Sequence, residues 1–242
     1  MLREIEKLAD AIKKYNNIVF FGGAGVSTES KIPDFRGTEG IYNQKYDYPP
    51  EVILSHEFFI KRTGYFYKFY RDKMLFPNAK PNFAHEFLTE LEKVGKLKGI
   101  VTQNIDNLHQ MAGSKNVMEL HGSVYRNYCM DCGKFYGIDE ILNSDGIPRC
   151  SCGGIIKPDV VLYGEGLDAD CMREAIWLIS HAQLLIVGGT SLNVYPAAGF
   201  LNYFKGNELC IINRENTTYT CRAEISINEN IGEAFKKVSK LL

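Results

Sequence analysis

Nothing in this 242-residue sequence approaches an uninterrupted apolar run of the length that crosses a bilayer, about 20 residues. There is no surplus of either charge: 28 Lys and Arg face 29 Asp and Glu, for a formal net charge of -1, so neither nucleic acid nor an anionic membrane is expected as an obligatory partner. Low-complexity tracts and a convincing internal repeat are also missing. An export signal is not apparent, because LREIEKLADAIKKYNN mixes acids and bases and carries Leu2, Ile5, Leu8, Ala9 and Ile12 at helical spacing. Seven cysteines, an odd number, argue against a disulfide framework and for a reducing cytoplasm.

What remains is a globular chain, 45% hydrophobic and 24% charged, with material for one core and a smaller lobe. Short β-branched or aromatic runs recur at 16–21, 98–102, 116–120, 159–163, 183–189, 208–213 and 223–227. Helices are expected at 2–15, 56–75, 82–94, 168–180, 196–204 and 231–241, and the alternation predicts an α/β fold with a parallel sheet. Two stretches break the pattern: an aromatic, proline-bearing segment at 39–79 and a cysteine-bearing one at 122–157. Both are read as insertions that together form a small lobe, leaving 1–38, 80–121 and 158–242 as the sheet domain.

The phrases after the strands carry the chemistry, since open parallel sheets bind ligands beyond the carboxyl ends of their strands. GGAGVSTES offers Gly23 and Gly25 for close approach to a pyrophosphate, with amides around Ala24 to Thr28 as donors. It lacks the third glycine of a dinucleotide fingerprint and is equally readable as a plain turn. TQNIDN supplies Gln103, Asn104 and Asp106 for ribose hydroxyls and a carboxamide, or alternatively an Asx turn and a helix cap. His121 ends NVMEL and is suited to accept a proton near neutral pH, although a lone histidine there is also compatible with a structural role.

Cys129, Cys132, Cys150 and Cys152 read C-x2-C-x17-C-x-C. Four thiolates fill a tetrahedral Zn²⁺ shell and leave no position for water or substrate, so this site is expected to be structural. Cys171, Cys210 and Cys221 sit in elements with core patterning and read as small hydrophobes. Basic and acidic residues balance within the cysteine segment, which argues against a nucleic-acid-reading ribbon.

GAGVSTESKIPDFRG, TQNIDNLHQMAGS, ELHGSV, the two cysteine pairs, KPDVVLYGEGL and GGTSLNVYPAA occur in one order, and together they resemble the sirtuin family of NAD-dependent protein deacylases over nearly the whole chain. The resemblance implies a Rossmann-like domain with a small lobe made of a zinc ribbon and a helical module. It implies that NAD is consumed: an acyl-lysine carbonyl oxygen displaces nicotinamide from the ribose, and His121 acts as general base with Asn104 assisting. Nicotinamide, O-acetyl-ADP-ribose and free lysine result. Cofactor contacts would come from Ala24, Gly25, Thr28, Phe35, Arg36, Gln103, Asn104, Ile105, Asp106, His121, Thr190, Ser191, Asn213 and Ile231. The acetylated lysine would arrive on an extended peptide added as a strand between Val161, Gly164, Glu165 and Gly166 on one side and Asn193 and Val194 on the other, threading past Phe35.

The chain departs from the family pattern at Gly22 (usually threonine), Lys31 (usually glycine) and the shortened CSC pair. Tyr67 is followed by Tyr70 where succinyl- and malonyl-preferring relatives carry arginine, so uncharged acyl groups are expected. Protein ADP-ribosyl transfer at the same site, a zinc-stabilised NAD-binding module without turnover, and a hydride-transfer enzyme remain as alternatives.

Overall fold

The computed structural model describes residues 2–35, 37 and 40–242. The chain runs α1 (Leu2–Lys14), β1 (Ile18–Gly22), α2 (Pro50–Ile53), α3 (His56–Lys61), α4 (Thr63–Lys73), α5 (Phe83–Lys93), β2 (Leu97–Thr102), α6 (Leu108–Ala112) and β3 (Val117–Glu119). It continues through β4 (Gly122–Cys129), β5 (Phe135–Tyr136), α7 (Ile138–Asn143), β6 (Ile156–Val160), α8 (Ala169–His181), β7 (Leu184–Gly188), β8 (Glu208–Ile212), β9 (Ile225–Ile227) and α9 (Ile231–Ser239).

Six strands form one parallel sheet in the order β3-β2-β1-β7-β8-β9. The order reverses between β1 and β7, which is where the loops leaving neighbouring strands part and open a crevice. Every residue of β1 and of β7 is buried, as strands covered on both faces require. Their side chains alternate between two cores: Ile18 and Phe20 pack with α1, α5 and α9, while Val19 and Phe21 pack with α8 and the 197–203 segment.

Local chemistry sets the helix starts. Asn82 caps α5 by accepting from the Ala84 amide at 2.9 Å, Ser55 caps α3 through the Phe58 amide at 3.2 Å, and Asp168 caps α8 through the Cys171 amide at 2.8 Å. The helix expected at 56–75 is two helices, because the chain turns at Arg62 (φ -139°, ψ 46°). That turn brings Phe59 together with Phe66, Tyr67 and Tyr70 in a separate core. The segment expected as a helix at 196–204 forms 3₁₀ turns over Ala197–Tyr203, with Pro196 just before it and Gly199 inside it weakening an α-helix.

The run at 159–163, expected among the parallel strands, differs most. Its first residues belong to β6, which pairs antiparallel with β4 in a three-stranded sheet ordered β5-β4-β6. Burial alternates along β6 as in a strand with one covered face, so this small sheet serves the lobe that holds the cysteines and α2 to α4.

Candidate active site

A cleft of about 380 Å³ lies between the two lobes, walled by loops that leave β1, β2, β3, β7 and β8 and by the 160–165 stretch. The β1 loop presses on the β7 loop. Gly25 donates its amide to the Gly189 carbonyl at 2.8 Å, and a Cβ built on Gly25 would stand 2.7 Å from Gly189 Cα. Only glycine permits this approach. The Gly25, Val26 and Ser27 amides are engaged by the Gly189, Gly23 and Ala24 carbonyls, so these three donors are not free for a phosphate without rearrangement.

Beneath that loop lies a small polar network. Ser27 Oγ donates to Asp106 Oδ2 at 2.6 Å and accepts from Asn104 Nδ2 at 3.0 Å. Asp106 Oδ1 accepts from the Leu108 amide at 3.0 Å, and burial pushes this carboxyl above its usual range against those hydrogen bonds. Ser27 does not stand out by residue type, and its place just after the glycine turn is the only sequence signal for it.

His121 lines the same cleft. Its Nδ1 lies 3.0 Å from the Gln103 carbonyl oxygen, which can only accept, so in the neutral ring the proton sits on Nδ1 and Nε2 is a free base. Burial lowers the imidazole pKa below its ordinary value while the Gln103 carbonyl opposes the shift, so the neutral form prevails at pH 7. Gln103 Nε2 donates to Thr190 Oγ1 at 3.3 Å, joining the loops that follow β2 and β7.

Of the residues singled out from the sequence, Ala24, Gly25, Phe35, Gln103, Asn104, Ile105, Asp106, His121, Val161, Gly164, Glu165, Thr190, Ser191, Val194, Asn213 and Ile231 line this one cleft. Thr28, Gly166 and Asn193 do not, and the Thr28 hydroxyl donates instead to the Gly25 carbonyl at 3.1 Å. Arg36 lies outside the described residues. The Glu165 carboxylate is already engaged by His56 Nδ1 at 2.8 Å, Lys157 Nζ at 3.1 Å and the Leu162 amide at 2.9 Å, so it ties the 160–165 stretch to α3 and β6.

The four cysteines of the small lobe come together away from the cleft wall, their sulfurs all within 4.8 Å of one another. Sγ separations of 3.4 Å (Cys129 to Cys152), 3.6 Å (Cys132 to Cys150) and 3.5 Å (Cys132 to Cys152) approach the roughly 3.8 Å edge of a tetrahedral zinc-thiolate shell. The donor set therefore fits one zinc ion with no open position. The Tyr136 hydroxyl donates to Cys150 Sγ at 3.0 Å, an outer contact that favours the thiolate. Outside the tetrad, Cys210 is buried, Cys171 is half-buried and Cys221 is exposed, so the expectation of a core thiol fails at Cys221: it sits within a 3₁₀ turn over Thr220–Arg222 that has no buried residue.

A family model described as Sir2 family matches residues 23–196. The chain belongs to the Sir2 family. The NAD-dependent protein deacetylase of Clostridium acetobutylicum is 56% identical over 242 residues, covering 98% of this chain and 99% of that one. That of Clostridium tetani is 58% identical over 231 residues, with 94% of each covered. Among solved structures, a Sir2 complex with p53 peptide and NAD+ superposes with a TM-score of 0.86 at 39% identity, covering 97% and 96% of the two chains. A Sir2 complex with 2'-O-acetyl-ADP-ribose and deacetylated p53 peptide gives 0.85 at 37% identity, covering 97% of each. The Sir2 fold thus accounts for both lobes and for the crevice between them.

Proposed function

We propose that this Sir2 protein is an NAD-dependent protein-lysine deacetylase that yields nicotinamide, O-acetyl-ADP-ribose and unmodified lysine. NAD enters as a consumed substrate across the β1, β2, β7 and β8 strand ends, with residues 1–38, 80–121 and 158–242 as its binding domain and 39–79 and 122–157 as the small lobe. The acyl-lysine carbonyl oxygen bonds to the ribose carbon as that carbon's bond to nicotinamide breaks. His121 Nε2 then takes a proton from a ribose hydroxyl, so that the acyl group migrates and water releases the lysine. Asn104 and Asp106 orient the ribose, and Phe35 shields it. One zinc ion, held by Cys129, Cys132, Cys150 and Cys152, braces the small lobe.

The observation that carries this reading is the neutral His121 imidazole, its Nδ1 fixed by Gln103, on the same wall as Asn104 and Asp106. The peptide is bound as an added strand along Val161 and Gly164, with Val194 opposite. The Tyr163 amide and carbonyl already pair with Leu54 and the His56 amide, so the guest uses the other edge. Uncharged acyl groups are favoured: Tyr67 donates to the Ile156 carbonyl, Tyr70 is fully buried, and Arg71 is spent on Ile141, Ser144 and Gly146. Lys73 does reach the cleft but pairs with Asp72 at 3.0 Å. A cytoplasmic location is favoured by the seven cysteines, none of them in a disulfide; no helix among the described residues is long and apolar enough to cross a membrane.

The test is incubation with NAD and an acetyl-lysine peptide, following nicotinamide and peptide mass together. Acetyl loss matched by nicotinamide release is the expected result. A peptide gaining one ADP-ribose, or no nicotinamide at all, overturns the reading.

A further inference from the structure

Two histidines that the reaction does not touch lie in the core behind the cleft. His85 on α5 and His109 on α6 are 0% and 1% exposed, and their rings sit 4.7 Å apart, tilted by 60°. A neutral imidazole brings one donor and one acceptor. His85 Nδ1 accepts from the Asn82 amide at 3.2 Å, which puts its proton on Nε2, yet Nε2 has no partner among the described residues. Neither nitrogen of His109 has one. Both rings therefore bury unpaired nitrogens, and they meet through ring contact at 4.7 Å rather than through a hydrogen bond.

The elements behind this pair lead straight to the cleft. Asn82, whose amide meets His85, donates Nδ2 to the Val26 carbonyl at 2.8 Å and to Ser30 Oγ at 2.9 Å, so it holds the loop carrying Ser27. His109 follows Leu108, whose amide is capped by Asp106. The Ser27 loop and the Asp106 loop meet at the 2.6 Å bond between their side chains.

We infer that His85 and His109 are a positioning pair: a neutral imidazole contact that couples α5 to α6 and so sets the Ser27 loop against the Asp106 loop. This rests on the reading that the cleft takes NAD. Burial supports the neutral state of both rings, pushing His85 down to about 4 and His109 well below its ordinary value, with His85 itself adding to the shift at His109. When the coupling is lost, the two loops sample misaligned arrangements, and apparent NAD affinity falls by the fraction that remains competent. Saturating NAD selects the aligned state again, so turnover recovers.

Steady-state kinetics on His85→Asn, His109→Phe and the double variant test this. Asparagine keeps an acceptor for the Asn82 amide but lacks the ring's far donor; phenylalanine fills the His109 site without polar atoms. The expected result is a KM for NAD raised about tenfold in each single variant. The KM for peptide stays unchanged, kcat at saturating NAD changes by less than about threefold, and the double variant is no worse than the worse single. A KM for NAD within about twofold of wild type, a rise that comes only with lost kcat and a lower thermal midpoint, or effects that multiply in the double variant would each overturn the inference. If the wild type releases no nicotinamide, the deacetylase reading fails while calorimetry of NAD binding to the same variants still decides this one: about tenfold weaker supports it, unchanged affinity sinks it. Should the variants not fold, ¹⁵N spectra of the wild-type imidazoles decide: protonation of His85 at Nε2 is expected, and protonation at Nδ1 refutes the pair.

Discussion

Acid should destabilise this protein through its buried imidazoles well before its carboxylates protonate. His85 and His109 are neutral in the fold, with His85 at about 4 and His109 well below its ordinary value, whereas the unfolded chain returns both to about 6.5. A depressed folded pKa means that the unfolded state takes up the proton first. The stabilisation is complete above about pH 6.5 and drains as pH falls towards the folded value. Between pH 7 and pH 5 each such histidine costs about 2 kcal/mol, and the two together about 4 kcal/mol of a typical 5–15 kcal/mol. Asp106, raised by burial, acts in the opposite sense, and zinc loss adds its own acid sensitivity, but both are common to wild type and variant. The assay is urea unfolding of wild type and His109→Phe at both pH values. The variant should lose about 2 kcal/mol less than wild type between pH 7 and pH 5, whatever its stability at pH 7. Equal losses would mean that His109 is already protonated or solvated in the native state, and the reasoning from burial would fail.

Replacing His121 with alanine should leave zinc content and thermal midpoint intact while deacetylation falls at least about a hundredfold, the scale of a lost general base; turnover at the wild-type rate would remove the role. Because the folded His121 pKa is depressed, the acid limb of kcat/KM for the wild type should lie below pH 6.5, and a limb above it would contradict the burial argument. Cys129→Ser should release zinc, measured by metal analysis, and loosen the small lobe; full occupancy would contradict the tetrad. Gly25→Ala should weaken NAD binding by at least tenfold, read by calorimetry, since the added methyl would stand 2.7 Å from Gly189 Cα and force the two strand-end loops apart.

Much of this was legible because the chemistry sits where the sequence changes character. Gly23, Gly25, the Gln103 to Asp106 phrase and His121 each interrupt an apolar run, and the parallel sheet places the ends of β1, β2 and β3 side by side. The cysteine pairs were legible for a different reason: ligand spacing is a local constraint. What the sequence hid was long-range partnership. Residues 159–163 have the apolar continuity of a buried parallel strand, yet β6 turns antiparallel onto β4, and nothing local to Asp159 or Val160 announces that pairing. The same holds for Glu165, whose partners His56 and Lys157 come from the other two segments of the chain that meet there, and for His85 and His109, which read as ordinary helical positions until their rings are found together. Short helices such as α2, α6 and α7 carry too few turns for periodicity to register.

The cysteine cluster and His121, the proposed base, are joined through the main chain. His121 is bound on two sides: its ring meets the Gln103 carbonyl, and its own carbonyl accepts from the Val161 amide at 3.1 Å. The next residue, Gly122, opens β4 at φ 75°, where a Cβ would collide with the Asp159 carbonyl of β6. The strand that ends at Cys129 therefore begins beside the imidazole, and the antiparallel pairing that the tetrad braces also fixes the main chain from which the imidazole projects. A carboxylate in place of the Gln103 carbonyl would hold the ring as firmly but would favour the imidazolium, removing the base at neutral pH. A neutral carbonyl fixes the tautomer while burial keeps the ring unprotonated. On the proposed mechanism a zinc ion in the tetrad would act only through geometry: its loss should cost activity in proportion to how far the β4 and β6 strands let His121 drift.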